Sequence, residues 1–151
     1  MIITHIILEM QKIKRIVSLW LPVGIWALVI FTFSSLPTVE TTNFYLGDFL
    51  IKKSAHLIEY GIFATLVYRA LFNSKVSIKK AMYISVIAAF VYGASDEFHQ
   101  SFTPGRGPKF TDVLIDTTGA SIFIYGVIGN MKKMPLLFRF LYMKLGIKDT
   151  L

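Results

Sequence analysis

The chain of 151 residues has no cysteine. Disulfides, thiolate metal sites and a cysteine nucleophile are therefore excluded. Charge is also scarce. Only 17% of residues are Asp, Glu, Lys or Arg, against about a quarter in a soluble domain. Acids are the scarcer sign, with 9 Asp and Glu against 16 Lys and Arg, which leaves a formal net charge of +7. The positives sit at the ends of apolar runs, where they hold membrane topology, so the excess is not taken as a nucleic-acid surface. There is no internal repeat and no low-complexity stretch.

Apolar residues make up 54% of the chain and the mean hydropathy is +0.60. Aromatics reach 15%, with 13 Phe and 7 Tyr, as expected where rings face lipid or sit at its border. Four apolar runs, over residues 16–35, 55–72, 78–95 and 113–130, are each long enough to cross a hydrocarbon core of about 30 Å at about 1.5 Å per residue. The pattern predicts an all-α protein, a bundle of four transmembrane helices in the plasma membrane. Lys12, Lys14 and Arg15 precede the first run as they would in a signal peptide. The run is too long for that, and Ser34-Ser35-Leu36-Pro37 is a poor cleavage site, so a retained first helix is expected. Pro22 is placed in the first turns of that helix, where a missing N–H costs least.

Orientation follows from the short loops. Lys52, Lys53, Arg106 and Lys109 fall on one side of the bundle, leaving twelve of the 16 Lys and Arg on the other. The richer side is read as cytoplasmic, with both termini there. Residues 1–15 then form a cytoplasmic segment, 16–130 the membrane domain and 131–151 a basic tail. In that tail Leu136, Leu137, Phe140, Leu141 and Met143 mix with Arg139, Lys144 and Lys148, the composition of an amphipathic helix on the inner leaflet.

The acids gather at the other, outer face. Lys53, His56 and Tyr60 are spaced to share one helix face, and Glu59 borders it. Asp96, His99 and Gln100 share a face at the end of the third helix, next to Glu97. The turn Thr103-Pro104-Gly105-Arg106-Gly107-Pro108 then reverses the chain. Arg106 offers a planar fork for a carboxylate or phosphate, and pairing with Asp96, Glu97 or Asp112 is expected. Thr111 or Asp112 is placed to cap the fourth helix. Asp116 lies about one turn deeper, and Gly119 and Ala120 suit close helix packing. Ionisable groups at a membrane helix mouth are costly unless paired or wet, which makes these residues candidates for a binding site. The structural alternative is a network that pins the helices together by mutual pairing.

Two histidines among carboxylates could ligate a metal, but the spacing matches no metal motif, and no metal or cofactor is expected. A Ser-His-Asp triad could be written with Ser54, Ser95 or Ser101, without a nucleophile-elbow sequence to support it.

The string Lys53-x-x-His56-x-x-x-Tyr60, then Asp96-Glu97-x-x-Gln100-x-Phe102-x-Pro104-Gly105-Arg106, then Asp112 and Gly119, resembles the VanZ-like family of bacterial membrane proteins over nearly the whole chain. One position departs from the family pattern, which usually has Asn where this chain has Asp116. The resemblance implies an envelope membrane protein, and the founding member of the family is linked to low-level resistance to the glycopeptide teicoplanin.

Two functions fit the residues. The first is a non-enzymatic factor that binds an anionic lipid head group or a lipid-linked cell-wall precursor at the outer face. Its ligand set would be Lys53, His56, Glu59, Tyr60, Asp96, Glu97, Gln100, Arg106, Asp112 and Asp116. The second is an enzyme on a polyprenyl or phospholipid head group. His56 or His99 would be its base, Asp96 or Glu97 would orient that base, and Arg106 would stabilise developing charge.

Overall fold

A computed structural model describes residues 2–36, 45–103 and 107–147. These residues are helical throughout their ordered elements, and no strand occurs among them. The elements are α1 (Ile2–Ser34), α2 (Tyr45–Asn73), α3 (Ile78–Gln100), α4 (Phe110–Ser121) and α5 (Leu136–Lys144). α4 does not stop at Ser121. It widens into a π-helical stretch over Ile122–Val127 and tightens into a 3-10 stretch over Ile128–Lys133.

α2 is the central element and packs against α1, α3 and α4, its contact with α4 being the most extensive. Small residues make that closeness attainable. A Cβ on Gly119 of α4 would overlap the backbone of Leu57 on α2, and one on Gly61 of α2 would overlap the Phe123 ring. Tyr60, Ala64, Val67, Tyr68, Ala89, Ala120 and Ile124 fill the core between the helices. Large apolar side chains cover the outside, among them Ile16, Leu21, Ile25 and Leu28 of α1, Val91 of α3 and Leu114 of α4. A soluble monomer does not expose apolar surface on this scale.

Several sequence expectations change. α1 does not begin near residue 16 but at Ile2, so residues 2–15 extend the same helix and Pro22 lies in its interior. Ile2, Ile6, Met10 and Ile13 recur at helical spacing, which explains why the helix continues back past the apolar run. Pro22 therefore leaves the carbonyl one turn before it without its helical partner. α2 begins at Tyr45, so Lys52 and Lys53 lie within the helix, not in a loop before it. Two helices, Ile2–Ser34 and Phe110–Lys133, are long and apolar enough to cross a membrane on length and composition. α2 and α3 carry polar residues that pair mainly with α4 and α1.

The tail folds back. Pro135 precedes α5, and Lys144 places its ammonium 4.8 Å from the Phe140 ring centroid. Beyond it, Gly146 turns the chain at φ 78°, a conformation that favours glycine. Asn73 Nδ2 donates to the Gly146 carbonyl at 3.0 Å, Arg69 Nε donates to that of Leu145 at 2.5 Å, and Ile147 is fully buried.

Candidate functional site

The end of α1, the first half of α2, the end of α3 and the start of α4 meet at one end of the bundle. Heptad-like spacing on α2 and α4 produces layers there. Lys53 and Asp112 form an ion pair in the outermost layer, with side chains 21% and 14% exposed. One turn deeper, His56 Nδ1 donates to Asp116 Oδ1 at 3.1 Å. Deeper still, the buried Tyr60 ring stands beside Tyr92 and Phe63, at centroid distances of 6.2 and 6.4 Å.

α3 adds a second row. Ser34 Oγ of α1 donates to Asp96 Oδ1 at 2.5 Å, and Gln100 Nε2 donates to Asp96 Oδ2 at 2.9 Å. Asp96 thus has both oxygens satisfied while almost fully buried. Glu97 accepts the backbone N–H of Lys109 on its Oε2 at 2.7 Å, which ties the end of α3 to the start of α4. His99 turns the other way. Its Nε2 shares a hydrogen bond with Ser35 Oγ at 3.0 Å, and its ring packs on Phe31 at 4.3 Å. Glu59 is half-buried at the α1 side, where its carbonyl accepts the Trp26 indole N–H at 2.9 Å.

Lys53, His56, Glu59, Tyr60, Asp96, Glu97, Gln100, Asp112 and Asp116 are therefore brought to one end. Arg106 lies outside the described residues, and so does its expected pairing. Three arrangements that the sequence allows are not formed. Asp112 does not cap α4: Lys109 is the N-cap, without a side-chain cap bond, because Asp112 is spent on Lys53 and on the Thr111 hydroxyl at 3.2 Å. Neither Asp96 nor Glu97 bonds His56; Asp116 does so instead. No triad forms through Ser95 or Ser101, whose hydroxyls donate to carbonyls of their own helix, while Ser54 is exposed.

The sequence reading missed Ser34, Ser35 and Gly93. The two serines close the first apolar run at the level of the acids, which is the signal that could have found them. Gly93 gives none, because its role is a contact across helices. A Cβ there would come within 3.2 Å of Asp116 Oδ2 and 3.4 Å of Tyr60 Cε1. Among the described residues, no group of three or more His, Asp and Glu is placed to hold a metal ion.

Not every polar atom in this cluster is satisfied. Tyr60 Oη, Glu97 Oε1 and Asp116 Oδ2 are buried and have no hydrogen-bond partner among the described residues. Such groups are rare in a folded protein and each calls for a reason.

A family model, VanZ/LLP1, matches residues 4–132, which takes in all four long helices and the whole polar cluster. The chain belongs to the VanZ/LLP1 family. No curated protein and no solved structure matches it. Family membership together with the two apolar helices makes this VanZ/LLP1 protein membrane-associated.

Proposed function

We propose that this VanZ/LLP1 protein is a multi-pass protein of the bacterial plasma membrane whose polar helix ends bind a head group at the outer face. In this reading α1 to α4 all span, both termini are cytoplasmic and the tail from 131 onward lies on the inner leaflet. The ligand is an anionic lipid head group or a lipid-linked cell-wall precursor. Lys53 and Arg106 supply positive charge to it, and Glu59, Asp96, Glu97, Gln100, Asp112 and Asp116 order the site with Tyr60. The observation that carries the reading is the set of three buried polar atoms without partners, on Tyr60, Glu97 and Asp116. A network built only to pin helices would pair them or replace them with apolar groups at little cost. By the resemblance to the founding member, occupancy of the site would alter susceptibility to teicoplanin-type glycopeptides.

A second reading, an enzyme acting on the same head group, is favoured by one observation. His56 is held by Asp116, the arrangement of a general base and its orienting carboxylate. Lipid analysis of deletion cells separates the two: a precursor that accumulates points to the enzyme. Complementation with Asp96→Asn, Arg106→Ala and His56→Asn tests the site itself. Each should fail to restore the envelope lipid profile or glycopeptide susceptibility while melting and eluting as folded protein. If all three restore both, in a strain where deletion changes either, the cluster is structural.

A further inference from the structure

The three unpartnered atoms say more than that a ligand binds. Tyr60 is 0%, Asp116 1% and Glu97 5% exposed. Asp116 Oδ2 and Tyr60 Cε1 both lie within 3.5 Å of the point where Gly93 lacks a side chain. Glu97 follows Gly93 by one turn on the same face of α3 and is fixed through its other oxygen by Lys109. A carboxylate oxygen offers lone pairs and no proton. In their ionised form two of the three atoms are acceptors that lack a donor among the described residues, and the third can accept as well as donate. Leaving such a group unmatched is unfavourable, and more so when it is charged.

An anion cannot answer this need, because phosphate oxygens would face carboxylate oxygens. Lys53 stands further out, one turn above His56, in the layer nearest the bundle end. The polar cluster is thus graded, with a cation at its rim and hydrogen-bond acceptors at its floor. Resting on the head-group reading above, we propose that the site selects a phosphodiester head group that carries an N–H or O–H donor beyond the phosphate. The phosphate stays at the rim, and an ammonium or hydroxyl reaches Asp116 Oδ2 and Glu97 Oε1. The same pattern would reject head groups whose end is capped by methyl groups, since these leave the acceptors unpaired.

Two pairs of short-chain lipids test this on the full-length protein in detergent. Phosphatidylethanolamine and phosphatidylcholine share their charges, but only the first has N–H donors. Phosphatidylglycerol and phosphatidylmethanol share an anionic phosphate, but only the first has free hydroxyls. The donor-bearing member should bind about tenfold to a hundredfold more tightly, the range expected for a hydrogen bond to a charged acceptor. A preference confined to the first pair identifies an amine, and one confined to the second a hydroxyl. Asp116→Asn and Glu97→Gln, near-isosteric changes, should narrow the preference, whereas Ser95→Ala, exposed and outside the cluster, should keep it. Melting temperatures confirm that each variant is folded. If all four lipids bind saturably and alike, the donor inference is overturned and the head-group reading stands. If the preference exists but survives both carboxylate changes, the donor is read elsewhere and the assignment to these atoms is wrong. If no lipid binds saturably, both fall.

Discussion

Asp116 holds His56 Nδ1 at 3.1 Å with one carboxylate oxygen, while its other buried oxygen has no partner among the described residues. The pair joins α4 to α2 and stands one turn below the Lys53–Asp112 ion pair, so two cross-links, each a basic side chain of α2 with an aspartate of α4, stack along one helix interface. His56→Ala would leave the carboxylate without its one bond. Stranding a buried charge in this way costs about 3–5 kcal/mol. Asp116→Asn removes the charge and keeps a group of the same shape for His56. Thermal melting in detergent should show a large loss for His56→Ala and a clearly smaller one for Asp116→Asn. Equal losses would mean that the histidine matters for its volume, not for the bond.

The Lys53–Asp112 pair makes a separate prediction. Both side chains are mostly buried, so each is worth more to the other than a surface pair would be. Lys53→Met and Asp112→Asn should each lower the melting temperature, and the double variant should lie above the sum of the two losses. The coupling should fall at about 0.5–3 kcal/mol, the range for residues in direct contact. Additive losses would show that the two groups act independently.

Gly119 and Gly24 should respond in opposite ways to the same change. A Cβ on Gly119 runs into the Leu57 backbone, which cannot move aside without separating α2 from α4, whereas Gly24 has nothing within 4 Å of its added carbon. Gly119→Ala should destabilise by about 1–3 kcal/mol. Gly24→Ala, in the interior of α1, should leave stability unchanged or raise it by up to about 1 kcal/mol. Melting of the two purified variants against the parent decides it.

The proposed orientation is open to a labelling experiment, helped by the absence of cysteine from the chain. Gly105→Cys lies between α3 and α4 in the sequence, in the segment assigned to the side with four of the 16 Lys and Arg. It should react with a membrane-impermeant thiol reagent in intact cells. Reaction only after lysis would place the polar end of the bundle in the cytoplasm.

Periodicity and composition determined much of this protein without any structure. The apolar runs specify helices because no other element satisfies its own backbone in an apolar setting. The spacing of Lys53, His56 and Tyr60, and of Asp112 and Asp116, already put those residues on single faces, since 3.6 residues per turn acts within one helix. Relations between helices were beyond that rule. Which carboxylate meets His56, that Ser34 satisfies Asp96, and that Gly93 lets α3 close on Asp116 and Tyr60 all depend on the rotation and depth at which helices dock. That docking is decided by contacts such as Gly119 against Leu57, where the missing side chain leaves no mark in a hydropathy pattern. The same holds for the tail. Its composition announced an amphipathic helix, but only the fold brought Ile147 into the core and Asn73 to the Gly146 carbonyl. One chain determines which residues share a face; the packing of four helices decides which faces meet, and so which polar atoms are left waiting for a partner.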